Sequence, residues 1–326
     1  LDELSISPEG LSPRLIKNGY DSYSMLNGRV YALPLDPSVQ IFLYRTDLFH
    51  DAKLCRAYYE RFHENLVVPT TYEQYLHAAE FFTRSCNPDS PTEYGTTMTC
   101  GSASVAASDF LPFYLSRIDR FGSTPETLRL DCPEMQAAMR QYHALEKFSC
   151  KQNWWGDSIQ KFAEGKTAMT VIYSNYAAEL INSGNSVVVG RVGAAILPGC
   201  KPLLGGGIVG ISRYSQKAEA CKQFFRWYYS ADVASLLVRL GGTSPIVDAY
   251  EDFQNYSIFP WMNTSKKSFG LGQRGVKNQT PERFSIPKYE FAVGTAVRNV
   301  VQDLMTPEDA SRMAQALYDA ADPVCR

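Results

Sequence analysis

The chain has 326 residues, 45% of them apolar, and its 32 lysines and arginines nearly balance 34 aspartates and glutamates for a net charge of −2. That length can bury two packed lobes, while the balanced charge without a long basic run excludes a nucleic-acid surface on this portion, and no apolar stretch is long enough to span a membrane. Aromatic residues reach 13%, with 20 tyrosines, more than a core alone requires and suited to a cleft that faces a polar ligand.

In chain order, residues 29–33 and 39–44 read as short strands on either side of Pro34 and Pro37. Tyr58, Tyr59, Tyr228 and Tyr229 are expected to cap the outer edges of helices. Thr70 and Glu73 form a capping-box pattern ahead of Tyr72, Tyr75, Leu76, Ala79 and Phe82, which predicts an amphipathic helix ending near Ser85 and a loop over 86–92. Pro133 opens a second helix whose Met135, Ala138, Met139, Tyr142 and Leu145 recur at helical spacing.

A tryptophan pair, Trp154 and Trp155, then enters a helix whose apolar face ends at Phe162 and Ala163, with Gly165 as a left-handed stop. Residues 168–173 follow as a buried strand, and Tyr173, Ser174, Asn175 and Tyr176 form a turn able to stack on and hydrogen-bond to a small polar molecule, or to serve simply as a tyrosine-rich loop. Strands are predicted at 186–192 and 207–212. Residues 217–240 hold two helical pieces broken near Ser230 and Ala231, with Ala218, Cys221, Phe224, Phe225 and Tyr228 on one face of the first. Thr306, Pro307 and Asp309 open a last helix with Ala310, Met313, Ala314 and Leu317 inward. Strands alternating with helices predict an α/β architecture with mainly parallel sheets.

No chemistry-bearing constellation emerges. The eight cysteines contain no CxxC pair and have no histidine at ligand spacing, so no metal site is assigned; they are disulfides or buried thiols, and their number leans toward a reducing compartment. His50, His63, His77 and His143 stand apart from any HExxH or nucleophile elbow, so no catalytic residue is assigned. Gly205, Gly206 and Gly207 lack the lysine and hydroxyl residue of a phosphate loop and read as a turn into a strand.

Six blocks in order, one of them the mid-chain helix over 131–148, resemble the extracellular solute-binding proteins that deliver sugars to ABC importers, in the maltose-binding branch. The others are NGRVYALPLDPSVQIFLYRTDLF at 27–49, FAEGKTAMT at 162–170, VGAAILPGCKPLLGGGIVGIS at 192–212, GGTSPI at 241–246 and FAVGTAVRNVV at 291–301. The resemblance spans roughly the whole chain, and its weight lies in the ordered set. It implies a two-lobed periplasmic-binding-protein fold of type II with a hinge between the lobes. The first lobe takes 1–38 plus 198–243 and the second 39–197 plus 244–326, with chain crossings near 38–41, 195–198 and 243–246. Relatives open with a longer strand and helix alternation, so a further N-terminal segment is expected to complete the first lobe.

The resemblance also implies a small carbohydrate as ligand, ABC-importer membrane subunits as partners, no cofactor, and a periplasmic or otherwise extracytoplasmic, membrane-anchored location, with a cytoplasmic one as the alternative. On the cleft it carries over Asp36 and Ser38 from the loop after Pro34, Trp154 or Trp155 as a stacking surface, and Tyr173, Asn175 and Tyr176 where the branch places a tryptophan. It adds Gly206 and, as a carboxylate at an otherwise aromatic position, Glu290. The missing tryptophan argues against a long oligosaccharide. A ligand-sensing domain of a transcriptional or signalling regulator on the same fold is the second reading, and a carbohydrate-active hydrolase the third.

Overall fold

The computed structural model describes residues 14–16, 24–26, 29–118, 129–182, 184–274 and 285–320. Besides a short antiparallel pair, Met25–Leu26 with Arg29–Val30, its strands are β1 (Leu33–Pro34), β2 (Ser38–Arg45), β3 (Thr96–Thr99), β4 (Ser149–Gln152), β5 (Met169–Tyr173), β6 (Val192–Ala195), β7 (Leu204–Gly205) and β8 (Ile208–Val209). Its longer helices are α1 (Ala52–Phe62), α2 (Tyr72–Phe81), α3 (Ala103–Leu115), α4 (Pro133–Glu146), α5 (Trp155–Ala163), α6 (Ala218–Tyr228), α7 (Ala231–Arg239), α8 (Met262–Leu271), α9 (Ile286–Val301) and α10 (Pro307–Asp319).

β2 organises the molecule because both of its faces are covered, and so its sequence SVQIFLYR reads as an almost unbroken apolar run. Phe42 turns to a core formed with α2, α3, α4, α9 and α10. Val39, Ile41 and Leu43 turn to a second core, where Ile159 and Phe162 of α5 and Met262 and Phe269 of α8 meet Phe225 and Tyr228 of α6 and Val238 of α7. Ala249, Tyr250, Phe259 and Trp261 belong to the same second core.

Strand direction corrects one expectation. β2 pairs antiparallel with β5, β6 and β7, and β1 pairs antiparallel with β8; only β3 and β4 form a parallel ladder among the described strands. β5 and β6 both oppose β2 and therefore run alike, and a parallel bridge from Tyr94 to Thr167 sets β3 and β4 in that same sense. The sheets are thus not mainly parallel in their pairing, because β2 runs against each of its neighbours β5, β6 and β7 and sits between them. It arrives from the 33–37 segment without a helical crossover, the connection that would have forced it parallel.

Other expectations shift locally. The cap of α2 is Thr71 rather than Thr70, with Gln74 in place of Glu73: the Gln74 amide donates to Thr71 Oγ1 at 3.2 Å and the Thr71 amide to Gln74 Oε1 at 3.3 Å, and the helix stops at Phe81. The strand predicted at 186–192 begins only at Val192, since Val187 and Val189 are 57% and 56% exposed and only Val188 is buried. The predicted strand at 207–212 shortens to Ile208–Val209, and that at 29–33 splits into Arg29–Val30 and β1. Pro133 at the start of α4, the break between α6 and α7, the Thr306 cap of α10 and the left-handed Gly165 (φ 73°) lie where the sequence puts them. Of the four edge tyrosines only Tyr59 is exposed, at 53%; Tyr58, Tyr228 and Tyr229 are core residues. The seven described cysteines are free thiols, and Cys325 lies outside the described residues.

Candidate functional site

Four chain segments converge beside the start of β2. Trp154 is the N-cap of α5 and stays half exposed, whereas Trp155 turns inward at 3% exposure and meets the Tyr173 ring edge-on, centroids 5.1 Å apart. β5 ends at Tyr173 and a single 3-10 turn over Ser174–Tyr176 follows, so three consecutive polar residues leave the sheet at the same place. Ser174 Oγ accepts the Val39 amide of β2 at 3.3 Å, which fixes that turn against the crossing strand.

The glycine pair after Leu204 is required by close approach. A Cβ on Gly206 (φ 100°) would lie 2.3 Å from the Asp36 carbonyl oxygen, and one on Gly205 would lie 2.6 Å from the Tyr173 ring and 2.7 Å from Ser38 Oγ. Gly205 and Gly206 therefore bring bare backbone to the wall of the site. The turn opposite is braced by Tyr229, whose hydroxyl donates to the Pro34 carbonyl at 2.8 Å, and by Tyr228, which donates to that of Leu35.

These segments enclose a cleft of about 320 Å³, at the lower end of the volumes typical of small-ligand sites. Ser38, Trp154, Trp155, Tyr173, Asn175, Tyr176, Gly206 and Glu290 line it together. Asp36 does not: its Oδ1 accepts the Gly207 amide at 2.5 Å and so steadies the glycine turn from the rim. The remaining lining comes from Ser104, Val105 and Ser108 of α3, Gly205, and Arg274 just after α8. Sequence reasoning missed these. α3 is buried on all sides and has no amphipathic stripe to find, though Ser102 as its N-cap is a visible start signal.

One charged pair sits in the cleft. Arg274 Nη2 lies 2.6 Å from Glu290 Oε1, with side chains 21% and 7% exposed, and Arg274 Nη1 donates to the Leu204 carbonyl at 3.2 Å. Burial pushes the Glu290 carboxyl above the usual glutamate range and the Arg274 guanidinium pulls against that shift. The pair adds no net charge to the site. Two further polar atoms stand out: the Asn175 Oδ1 is buried and makes no hydrogen bond within the protein, and the Tyr173 hydroxyl is buried with only the Ser108 side chain beside it. Burial raises the Tyr173 phenol pKa, so it remains a neutral donor.

The chemistry available is hydrogen bonding and stacking, through hydroxyls, one amide, bare backbone, a compensated ion pair and the Trp154 and Tyr176 rings. Among the described residues no group of three or more His, Cys, Asp and Glu is placed to hold a metal ion, and no helix is long and apolar enough to cross a membrane.

Solved structures share this architecture. A ribitol-complexed ABC-transporter solute-binding protein from Agrobacterium radiobacter K84 aligns with a TM-score of 0.77 at 22% identity, over 97% of this chain and 77% of its own. The D-mannitol-bound solute-binding protein of Agrobacterium vitis S4 gives 0.72 at 19%, over 98% and 78%. Maltose-bound MalE3 of T. maritima gives 0.74 at 20%, over 95% and 77%. The fold is therefore that of the two-lobed solute-binding proteins. The pattern of the bacterial extracellular solute-binding proteins matches residues 2–261, well over half the chain, and the chain belongs to that family.

Proposed function

We propose that the chain binds a small, uncharged carbohydrate in the cleft between its lobes and hands it to the membrane subunits of an ABC importer, from an extracytoplasmic, membrane-anchored position. The observation that carries this reading is the buried, unpartnered Asn175 Oδ1, with the buried Tyr173 hydroxyl, beside the Trp154 and Tyr176 rings. Burying a polar group without a partner costs about 1–3 kcal/mol, and a ligand hydroxyl that both accepts and donates removes that cost. The Glu290–Arg274 pair favours hydroxyls as well, since either a ligand carboxylate or a ligand ammonium would meet a like charge. Ribitol, mannitol and maltose, carried by the similar proteins, fit this chemistry.

In this reading Ser38, Trp154, Tyr173, Asn175, Tyr176, Gly206 and Glu290 contact the ligand, Trp155 backs the Tyr173 ring, and Asp36 holds the glycine turn from outside. The lobes divide as 1–38 plus 198–243 and 39–197 plus 244–326. No group in the cleft is asked to do covalent chemistry.

A thermal-shift screen of pentitols, hexitols, monosaccharides and disaccharides tests the proposal. A ligand at a hundredfold its Kd adds about 2.7 kcal/mol, a shift of several degrees. At least one neutral sugar or polyol is expected to give it, and stabilisation by amino acids or peptides alone overturns the reading.

A further inference from the structure

Gln40 lies behind the cleft rather than in its lining, yet three of the wall segments are fastened to it. It is fully buried on β2, on the same face as Ser38, which lines the cleft two residues earlier. Across the antiparallel ladder it stands opposite Tyr173. Its Nε2 donates to the Ser108 carbonyl of α3 at 2.7 Å, its Oε1 accepts the Leu203 amide at 2.9 Å, and its own backbone amide donates to the Leu203 carbonyl at 3.0 Å. Turning the side-chain amide over would set oxygen against carbonyl and N–H against N–H, so the two side-chain bonds fix its orientation. The serines of α3, the turn that begins at Tyr173 and the glycine pair after Leu204 thus share one anchor.

The Ser108 carbonyl is open to Gln40 because of Pro112. In an α-helix that carbonyl accepts the amide four residues further on, and Pro112, inside α3, has no amide hydrogen to give. A buried carbonyl needs a donor, and Gln40 supplies one from β2. The proline therefore turns a bond within the helix into a bond between the helix and the crossing strand.

We propose that Gln40 is a positioning residue for the ligand site: it sets Ser108 and the bare backbone of Gly205 and Gly206 at a fixed spacing about the Tyr173–Tyr176 turn, and Pro112 leaves it the carbonyl by which it does so. The inference rests on the cleft beside β2 being the ligand site. A side chain that fills the same volume without the amide leaves the walls in place but unfastened from one another.

Calorimetry and thermal melts on the whole chain test it, with ribitol, D-mannitol, D-glucose and maltose as ligands. Gln40→Met keeps the length of the side chain and removes both of its hydrogen bonds. Pro112→Ala, added to it, returns a helical amide to the Ser108 carbonyl but restores no bond to Leu203 or β2. The single variant is expected to melt below the native chain and to bind about fivefold more weakly or worse, the scale of one or two lost hydrogen bonds. The double variant is expected to regain melting temperature and keep the weakened affinity, a separation that a purely structural role does not give. Where the single variant does not fold, the affinity comparison is made on the double variant. Native affinity in Gln40→Met, or affinity that returns together with melting temperature in the double variant, overturns the positioning role and leaves the carbohydrate reading standing. If none of the four ligands binds the native chain, the carbohydrate reading falls and the positioning role with it.

Discussion

Asp109 is a carboxyl that the fold buries without a lysine or arginine partner among the described residues. It follows Ser108 on α3, one residue from the cleft wall, and its Oδ2 accepts the Tyr142 hydroxyl at 2.7 Å and the Thr99 amide at 3.2 Å. Burial pushes its pKa up to about 7, against which those two hydrogen bonds act only in part. Tyr72, Tyr75, Tyr142 and Cys100 face it, and burial raises the pKa of each, so none changes charge near neutrality. The folded state therefore holds the Asp109 proton more tightly than the unfolded chain, whose aspartate titrates near 4. This contribution to stability is complete below about pH 4 and is lost as pH rises through about 7. At about 1.4 kcal/mol per pKa unit the loss is a few kcal/mol. Asp109→Asn should accordingly be more stable than the native chain at pH 8 and lose that advantage near pH 5. Denaturation curves at the two pH values check it, and an unchanged pH slope in the variant would show that Asp109 is not the group responsible.

At the scale of elements, α3 and α9 form the tightest helix pair, and Gly294 decides how close they come. A Cβ at Gly294 would lie 1.7 Å from the Ala103 carbonyl oxygen, which is backbone at the start of α3 and cannot rotate away. Alanine in mid-helix is favoured over glycine by about 1 kcal/mol. Overpacking typically costs about 1–3 kcal/mol, and more where backbone is struck, so the clash wins. Gly294→Ala should lower the midpoint of chemical denaturation and also weaken ligand binding, because α3 carries Ser104 and Ser108 into the cleft while α9 carries Glu290. A variant more stable than the native chain would mean that the helices separate at no cost.

The same elements mark how far the sequence could be read. Elements with a period or a punctuation residue were legible: α4 from Pro133, the end of α5 from Gly165, and the α6–α7 break from Ser230. The Tyr173–Tyr176 turn was legible because three polar residues follow a buried strand, and Glu290 only through the family resemblance, as a carboxylate at an otherwise aromatic position. α3 was not, since burial on every side erases amphipathic patterning, and Arg274 was not, since its role depends on Glu290, which is distant in sequence. The valines at 186–192 misled in the opposite direction: three β-branched residues mimic a strand although two of them face solvent.

For the molecule as a whole, the question is whether the two proposed lobes can move against each other. β2 crosses between them, and its first residues are held by both sides. The Val39 amide reaches Ser174, Gln40 Nε2 donates to the Ser108 carbonyl at 2.7 Å, and Gln40 Oε1 accepts the Leu203 amide at 2.9 Å. The bonds of Gln40 tie α3 to the segment leading into β7, so a rotation about 38–41 must pivot at this residue rather than break the strand. The backbone beside the other expected crossings, 195–198 and 243–246, is suited to bending: Pro198 is followed by two left-handed residues, Gly199 (φ 74°) and Cys200 (φ 55°), and Gly241 (φ 87°) stands just before 243–246, which contains Pro245. Hinges of this kind absorb motion in a few dihedrals while the packed cores stay intact. Closure over the cleft would bring the glycine wall at 205–206 toward Trp154 and Tyr176, excluding water and strengthening each hydrogen bond to the sugar. Small-angle scattering of the chain with and without saturating amounts of the sugar that gives the largest thermal shift should therefore report a smaller radius of gyration in the bound state. Gln40→Ala, which removes the pivot bonds but no ligand contact, should leave the unbound chain more heterogeneous and reduce affinity without changing which sugar is preferred. Superimposable profiles at saturation would instead establish a rigid cleft, with selectivity set by the walls alone.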